Sequence, residues 1–194
     1  MQYPITLRFK LFSLAQQISA RDAGGAELLY IRQKMFKFKE QVDVFRDSNQ
    51  KQLLFRIAAD RMIDFSANYS FTDASGHVWG GVRRRGMKSL WAAHYDVMQD
   101  GQVDMTIEEE SPVKKLVEGL LGEIPIVGFI ATYLLNPSYI VSSPDGTPLL
   151  RLTKKPAIFE GLFVLEKLND FSEDDELRSL LALIMVVLLE RARG

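Results

Sequence analysis

The sequence predicts a mainly β fold: about twelve antiparallel strands closed into a barrel around a hydrophobic C-terminal helix, with a helical insertion at 111–137. Three observations predict it. Turn-like tetrads recur at nearly constant spacing, the residues between them read as short strands, and residues 180–189 are apolar on every side of a helix.

The tetrads are Asp22-Ala-Gly-Gly25, Asp47-Ser-Asn-Gln50 and Asp73-Ala-Ser-Gly76, followed by looser turns at Asp100-Gly101 and Asp145-Gly146. Successive aspartates are 25, 26, 27 and 45 residues apart. Aspartate at the first position of a type I turn caps the backbone, and glycine at the fourth takes positive φ at little cost, so each tetrad is expected at a hairpin tip. The flanks "QISAR", "ELLYIRQ", "QVDVFR", "QLLFRI", "NYSFT" and "HVWGGVRR" are short, rich in β-branched and aromatic residues, and often alternate. Five hairpins give ten strands, and "YPITLRF" and "FEGLFVLEKL" raise the total to about twelve in an up-and-down order. A second repeat, at Met35-Phe-Lys-Phe38, Met62-Ile-Asp-Phe65 and Met87-Lys-Ser-Leu90, runs in phase with the turns and is expected at the corners between hairpins.

The long step before Asp145 contains the insertion. Ser111-Pro112 suits a helix start, Leu116, Val117, Leu120 and Leu121 share one helical face, and "IPIVGFIATYLLNP" begins on a proline and stops at Asn136-Pro137. Two short helices are expected here. They would plug a barrel mouth, or else contact a membrane interface or a protein partner; Glu118, Glu123 and the lack of a basic face favour packing on the barrel.

Residues 180–189 would span about 15 Å as helix, about half a bilayer's hydrocarbon thickness. A helix without a polar side must be enclosed all round, and a barrel of twelve strands is too wide for its own side chains to fill. Each solves the other's problem. Ser172 is the expected cap, Glu173, Asp174, Asp175 and Glu176 face the positive pole, and Arg191 and Arg193 the negative one.

The run "YIRQKMFKFKEQVDVFRDSNQ", then "FSANYSFTDASG", then a terminal apolar helix, resembles the LURP-one-related family, the scramblase-like relatives of the tubby C-terminal domain. The resemblance covers the chain from about Ile18 onwards and implies a twelve-stranded barrel around a hydrophobic helix, treated as a single domain over 1–194. The chain departs from the simplest members in its insertion and in Gln50, where a turn glycine is usual. Tubby domains bind phosphoinositides and scramblases act at membranes, so the resemblance implies a lipid- or protein-binding role.

Charge and composition narrow the function further. Lysine plus arginine, 24, nearly balance aspartate plus glutamate, 25, which argues against a nucleic-acid partner. There is no cysteine, so thiol chemistry and disulfides are excluded, and the expected location is cytoplasmic or peripheral to a membrane. Nucleophile-elbow, Walker, HExxH, dinucleotide and calcium-loop patterns are missing from the sequence, and no catalytic, cofactor-binding or metal-binding residue is expected. His94 and Asp96 can share a strand face, but such a pair is weak evidence for a general base. Glu108, Glu109 and Glu110 alternate faces and read as an exposed strand end.

The one local basic cluster is "GVRRRGMKSLW". Arg83, Arg85 and Lys88, beside Trp91, are the candidate contact for an anionic phospholipid or ligand through charge-assisted hydrogen bonds. The plainer reading pairs these cations with Glu108 and Glu110 on a solvated surface. The expected function is therefore a non-enzymatic binding protein that contacts anionic phospholipid or a membrane-associated partner. The alternative is a small-molecule-binding or enzymatic role at a barrel mouth.

Overall fold

The computed structural model describes residues 1–10, 16–33, 41–60, 68–85, 94–110, 137–157 and 160–191. The three corner repeats, the insertion at 111–136, and Lys88, Trp91 and Arg193 lie outside them.

The described residues form twelve strands: β1 (Ile5–Lys10), β2 (Gln16–Arg21), β3 (Glu27–Gln33), β4 (Gln41–Phe45), β5 (Leu53–Ala59), β6 (Asn68–Asp73), β7 (Val78–Arg84), β8 (His94–Gln99), β9 (Gln102–Glu109), β10 (Ser138–Ser142), β11 (Pro148–Lys155) and β12 (Glu160–Lys167). Each pairs antiparallel with the next, and β1 closes on β12 with Leu7 opposite Phe163, so the sheet is a closed barrel with no free edge. Helix α1 (Glu173–Arg191) fills it.

The hairpin tips follow from turn chemistry. Gly25 N donates to Asp22 O at 2.9 Å and Gly76 N to Asp73 O at 3.1 Å, with both glycines at positive φ. The second tetrad makes the same bond, Gln50 N to Asp47 O at 3.1 Å, although Gln50 must take φ 57° without glycine's freedom. In the last hairpin the tetrad begins at Ser143 rather than Asp145, because Gly146 N donates to Ser143 O at 2.9 Å.

Strand alternation turns one side chain in two inward. Ile5, Leu7 and Phe9 of β1, Val42 and Val44 of β4, Leu150 and Leu152 of β11, and their counterparts on every other strand are buried against one another and against the helix. On α1, every residue from Leu180 to Leu188 is at most 2% exposed, which is the enclosure that an all-round apolar helix requires. Each large apolar side chain so buried contributes about 1.5–3 kcal/mol.

Polar contacts at both ends fix the helix lengthwise. At its N-terminus Asp175 N donates to Ser172 Oγ at 3.1 Å while Ser172 Oγ donates back to Asp175 Oδ2 at 2.7 Å, a reciprocal cap. Buried Glu176 accepts from Lys167 Nζ at 2.7 Å and from the Tyr3 hydroxyl at 3.2 Å. At the other end the Tyr95 hydroxyl donates to Glu190, and the Arg191 guanidinium lies 5.3 Å from the Phe9 ring centroid. Burial pushes the Tyr3 and Tyr95 phenols well above the usual range, and the neighbouring carboxylates add to the shift.

Candidate functional site

With helix and side chains occupying the interior, the accessible chemistry of the described residues lies on the outer wall. On β7 Val82 points inward, fully buried, and Arg83 outward, directly opposite Asp96 of β8. Arg85 follows the end of the strand. Arg83 Nη2 lies 3.1 Å from Asp96 Oδ2, and Arg85 Nε 3.0 Å from Asp96 Oδ1. Asp96 is 2% exposed, so two guanidiniums cover one buried carboxylate. Their own side chains stay 44% and 60% exposed, and the two positive charges share the one carboxylate of Asp96.

The structure thus brings Arg83 and Arg85 together; Lys88 and Trp91 are not among the described residues. The acids offered as their partners are engaged elsewhere. Glu108 Oε1 lies 3.2 Å from His94 Nδ1, and Glu110 accepts from Ser138 Oγ at 2.8 Å and lies 3.4 Å from Arg151. His94 faces Glu108 across the β8–β9 pair, while Asp96 is held by the arginines.

Arg83 also walls a groove of about 590 Å³ over β6–β8, whose lining includes Asn68, Ser70, Gly81 and Met98, with Asp60 and Asp100 among its other residues. Asn68 Oδ1 is buried and has no hydrogen-bond partner among the described residues. The groove is shallowest in side chains at Gly81, where a Cβ would come within 2.7 Å of Tyr69 O and 3.3 Å of Asn68 Oδ1.

A second groove of about 580 Å³ runs over β1 and β2, lined by Thr6, Arg8, Lys10, Ser19, Arg21 and Tyr30 among others. Sequence reasoning missed it because its cations are spread over two strands and only the register gathers them. The signal was present in the alternation of "ITLRFK", where Thr6, Arg8 and Lys10 occupy the outward positions.

A polar knot joins the helix to the wall. Arg178, 3% exposed, donates from Nε to Trp79 O at 3.0 Å and from Nη1 to Asp104 Oδ2 at 3.1 Å, and it pairs with Asp175 one turn earlier. Burial, with the nearby Asp175 charge, pushes the Asp104 carboxyl above its ordinary range, although the Arg178 charge acts the other way. Among the described residues no three histidines or carboxylates gather as a metal site, and no helix is long and apolar enough to cross a membrane.

No curated protein and no solved structure matches the chain. The family model described as LURP-one-related matches residues 27–119, which take in β3 through β9. That match, on a closed twelve-stranded barrel around a C-terminal helix, agrees with the order of strands and turns in the sequence. Over residues 27–119, just under half of its length, the chain is thus similar to the LURP-one-related family.

Proposed function

We propose that this barrel is a non-enzymatic binding scaffold that contacts anionic phospholipid at a membrane surface through the β7–β8 wall, with Arg83 and Arg85 as the headgroup contacts. The observation that carries this reading is the pair of exposed guanidiniums sharing the single carboxylate of Asp96. Each arginine keeps donors that Asp96 does not use, and a planar guanidinium presents them in the fork that suits a phosphate oxygen pair. The filled interior supports a surface role, since helix α1 occupies the axis where larger barrels hold a ligand.

Flotation of the purified protein with phosphatidylcholine vesicles, with and without phosphatidylserine or a phosphoinositide, tests the reading. Binding should need the anionic lipid and weaken as salt rises, because exposed cations near such a surface contribute about 1 kcal/mol each. Arg83→Gln with Arg85→Gln should reduce it. Asp96→Asn, which releases both guanidiniums from their counter-charge, should strengthen it. Protein that stays at the bottom of the gradient at low salt refutes the reading.

A further inference from the structure

We propose, on the basis that Arg83 and Arg85 are the headgroup contacts, that the groove over β6–β8 makes the lipid contact selective: it seats a headgroup that carries a primary ammonium beside its phosphate, as the serine headgroup does. Asn68 of β6, Arg83 of β7 and Asp96 of β8 stand in one row across three strands. The neighbours on both sides of Arg83 each hold a buried oxygen without a hydrogen-bond partner among the described residues, Asn68 Oδ1 and Asp96 Oδ1. Arg85 Nε lies 3.0 Å from Asp96 Oδ1 as an ion pair, without a hydrogen bond to it. A buried acceptor left unmade costs more than an ordinary hydrogen bond gains, so what this row lacks is donors. A bare phosphate brings only acceptors. An ammonium brings three N–H donors alongside the phosphate that Arg83 takes.

The recess lies on the Asn68 side of the row. Gly81 stands opposite both Ser70 and Met98 and adds no side chain, which leaves the groove of about 590 Å³ next to Arg83. A Cβ on Gly81 would come within 3.3 Å of Asn68 Oδ1, so the space that glycine leaves open is the space from which a donor reaches that oxygen. The Asn68 amide is tied by Nδ2 to Ser70 Oγ at 3.4 Å, a long bond, and turns toward an entering donor at little cost. Directly opposed residues on neighbouring strands are about 5 Å apart, and a two-carbon bridge holds ammonium and phosphate at a similar separation. Phosphate on Arg83 therefore sets the ammonium over Gly81, beside Asn68 Oδ1 and Ser70 Oγ.

The charges select the same headgroup. Arg83 is the cation of the groove lining, and Asp60 and Asp100 are its acids. Asp60 Oδ1 accepts from Asn68 N at 3.1 Å, and Asp100 lies at the far end, between β8 and β9. With the adjacent Arg85 and Asp96 included, two guanidiniums face three carboxylates. Such a site takes one phosphate on its arginines, repels a headgroup with several, and attracts the positive end of a zwitterion. The quaternary nitrogen of choline has the charge but no N–H, so it leaves both orphaned oxygens as they were.

Flotation of the full chain with phosphatidylcholine vesicles containing phosphatidylserine, phosphatidylglycerol or a phosphoinositide at equal mole fraction tests this. Phosphatidylserine and phosphatidylglycerol carry the same net charge, and of the two only the serine headgroup has an ammonium. Phosphatidylserine is expected to bind about tenfold tighter, the change that one hydrogen bond to a charged group brings. Asn68→Leu removes the acceptor and should bring phosphatidylserine down to the phosphatidylglycerol level, with an unchanged melting temperature showing that the variant is folded. Amide shift mapping with soluble glycerophosphoserine should move residues 68–70 and 81–83. Equal affinity of the unaltered protein for the two lipids, tighter binding to the phosphoinositide, or a variant that keeps the preference would each overturn the selectivity while leaving the Arg83–Arg85 contact standing. Glycerophosphoserine that binds as tightly as the vesicles would overturn the lipid as the source of the headgroup. Protein that floats with none of the anionic lipids overturns the arginine contact and the selectivity with it.

Discussion

Gly80 and Arg178 share one piece of space. A Cβ built on Gly80 would stand 3.0 Å from Arg178 Cδ and 3.1 Å from Nε, and closer still to the carbonyl oxygen of Met98. The glycine in β7 is therefore what lets a buried arginine pass from the helix to the wall and reach Trp79 O and Asp104. Its φ of 139° is a second reason for glycine, because side chains rarely adopt it.

Gly80→Ala should accordingly cost about 2–4 kcal/mol, combining backbone strain with overpacking against a fixed carbonyl. Urea unfolding measures it. A loss below about 1 kcal/mol would mean that the Arg178 arrangement is not fixed.

Gly76→Val separates strain from crowding. Gly76 has φ 91° and nothing within 4 Å of its would-be Cβ, so only the backbone term applies. The expected loss is about 1–2 kcal/mol, smaller than at Gly80. An equal or larger loss would contradict the contact argument.

Ile184→Lys puts an ammonium at a fully buried position on the barrel axis, within the hydrophobic core cluster. The penalty should consume most of a typical stability of about 5–15 kcal/mol. Circular dichroism and sedimentation should report unfolded or aggregated protein. A soluble, folded monomer would refute the enclosure of the helix.

The hairpin aspartates predict an acid response. The Ser75 hydroxyl and the amides of Ser75 and His77 hold the Asp73 carboxyl below its usual range, and the Ser143 hydroxyl and Thr147 amide do the same for Asp145. A depressed carboxyl stabilises the fold above its ordinary pKa of about 4, and that contribution is lost as pH falls through the folded value. NMR titration should place both midpoints below those of solvated aspartates, and Asp73→Asn should make hairpin protection less acid-sensitive. Midpoints at or above the ordinary value would contradict the turn geometry.

The barrel and its axial helix were legible because their signals are local and periodic. The tetrad Asp73-Ala-Ser-Gly76 carries its own turn, and residues 180–189 declare their enclosure by having no polar side. Gln50 shows the limit of residue type: the spacing located the turn although the residue itself did not. The site was less legible, since outward charges choose partners across strands. Arg83 and Arg85 settle on Asp96, more than ten residues away, because register sets it opposite Arg83; nothing in "GVRRRG" distinguishes that acid from Glu108 or Glu110. Arg178 was equally hidden, its partners Trp79 and Asp104 lying on β7 and β9.

The pairing of Leu7 with Phe163, and the position of α1 after β12, fix an order of events during synthesis. The earliest strand cannot find its last neighbour until nearly the whole domain has left the ribosome, and the hydrophobic plug emerges later still. Until then the inward faces of β1 to β11 have neither closure nor filling. Nascent chains of this protein should therefore expose aggregation-prone apolar surface for most of translation and depend on holding chaperones, with native structure arising only as the final helix is released.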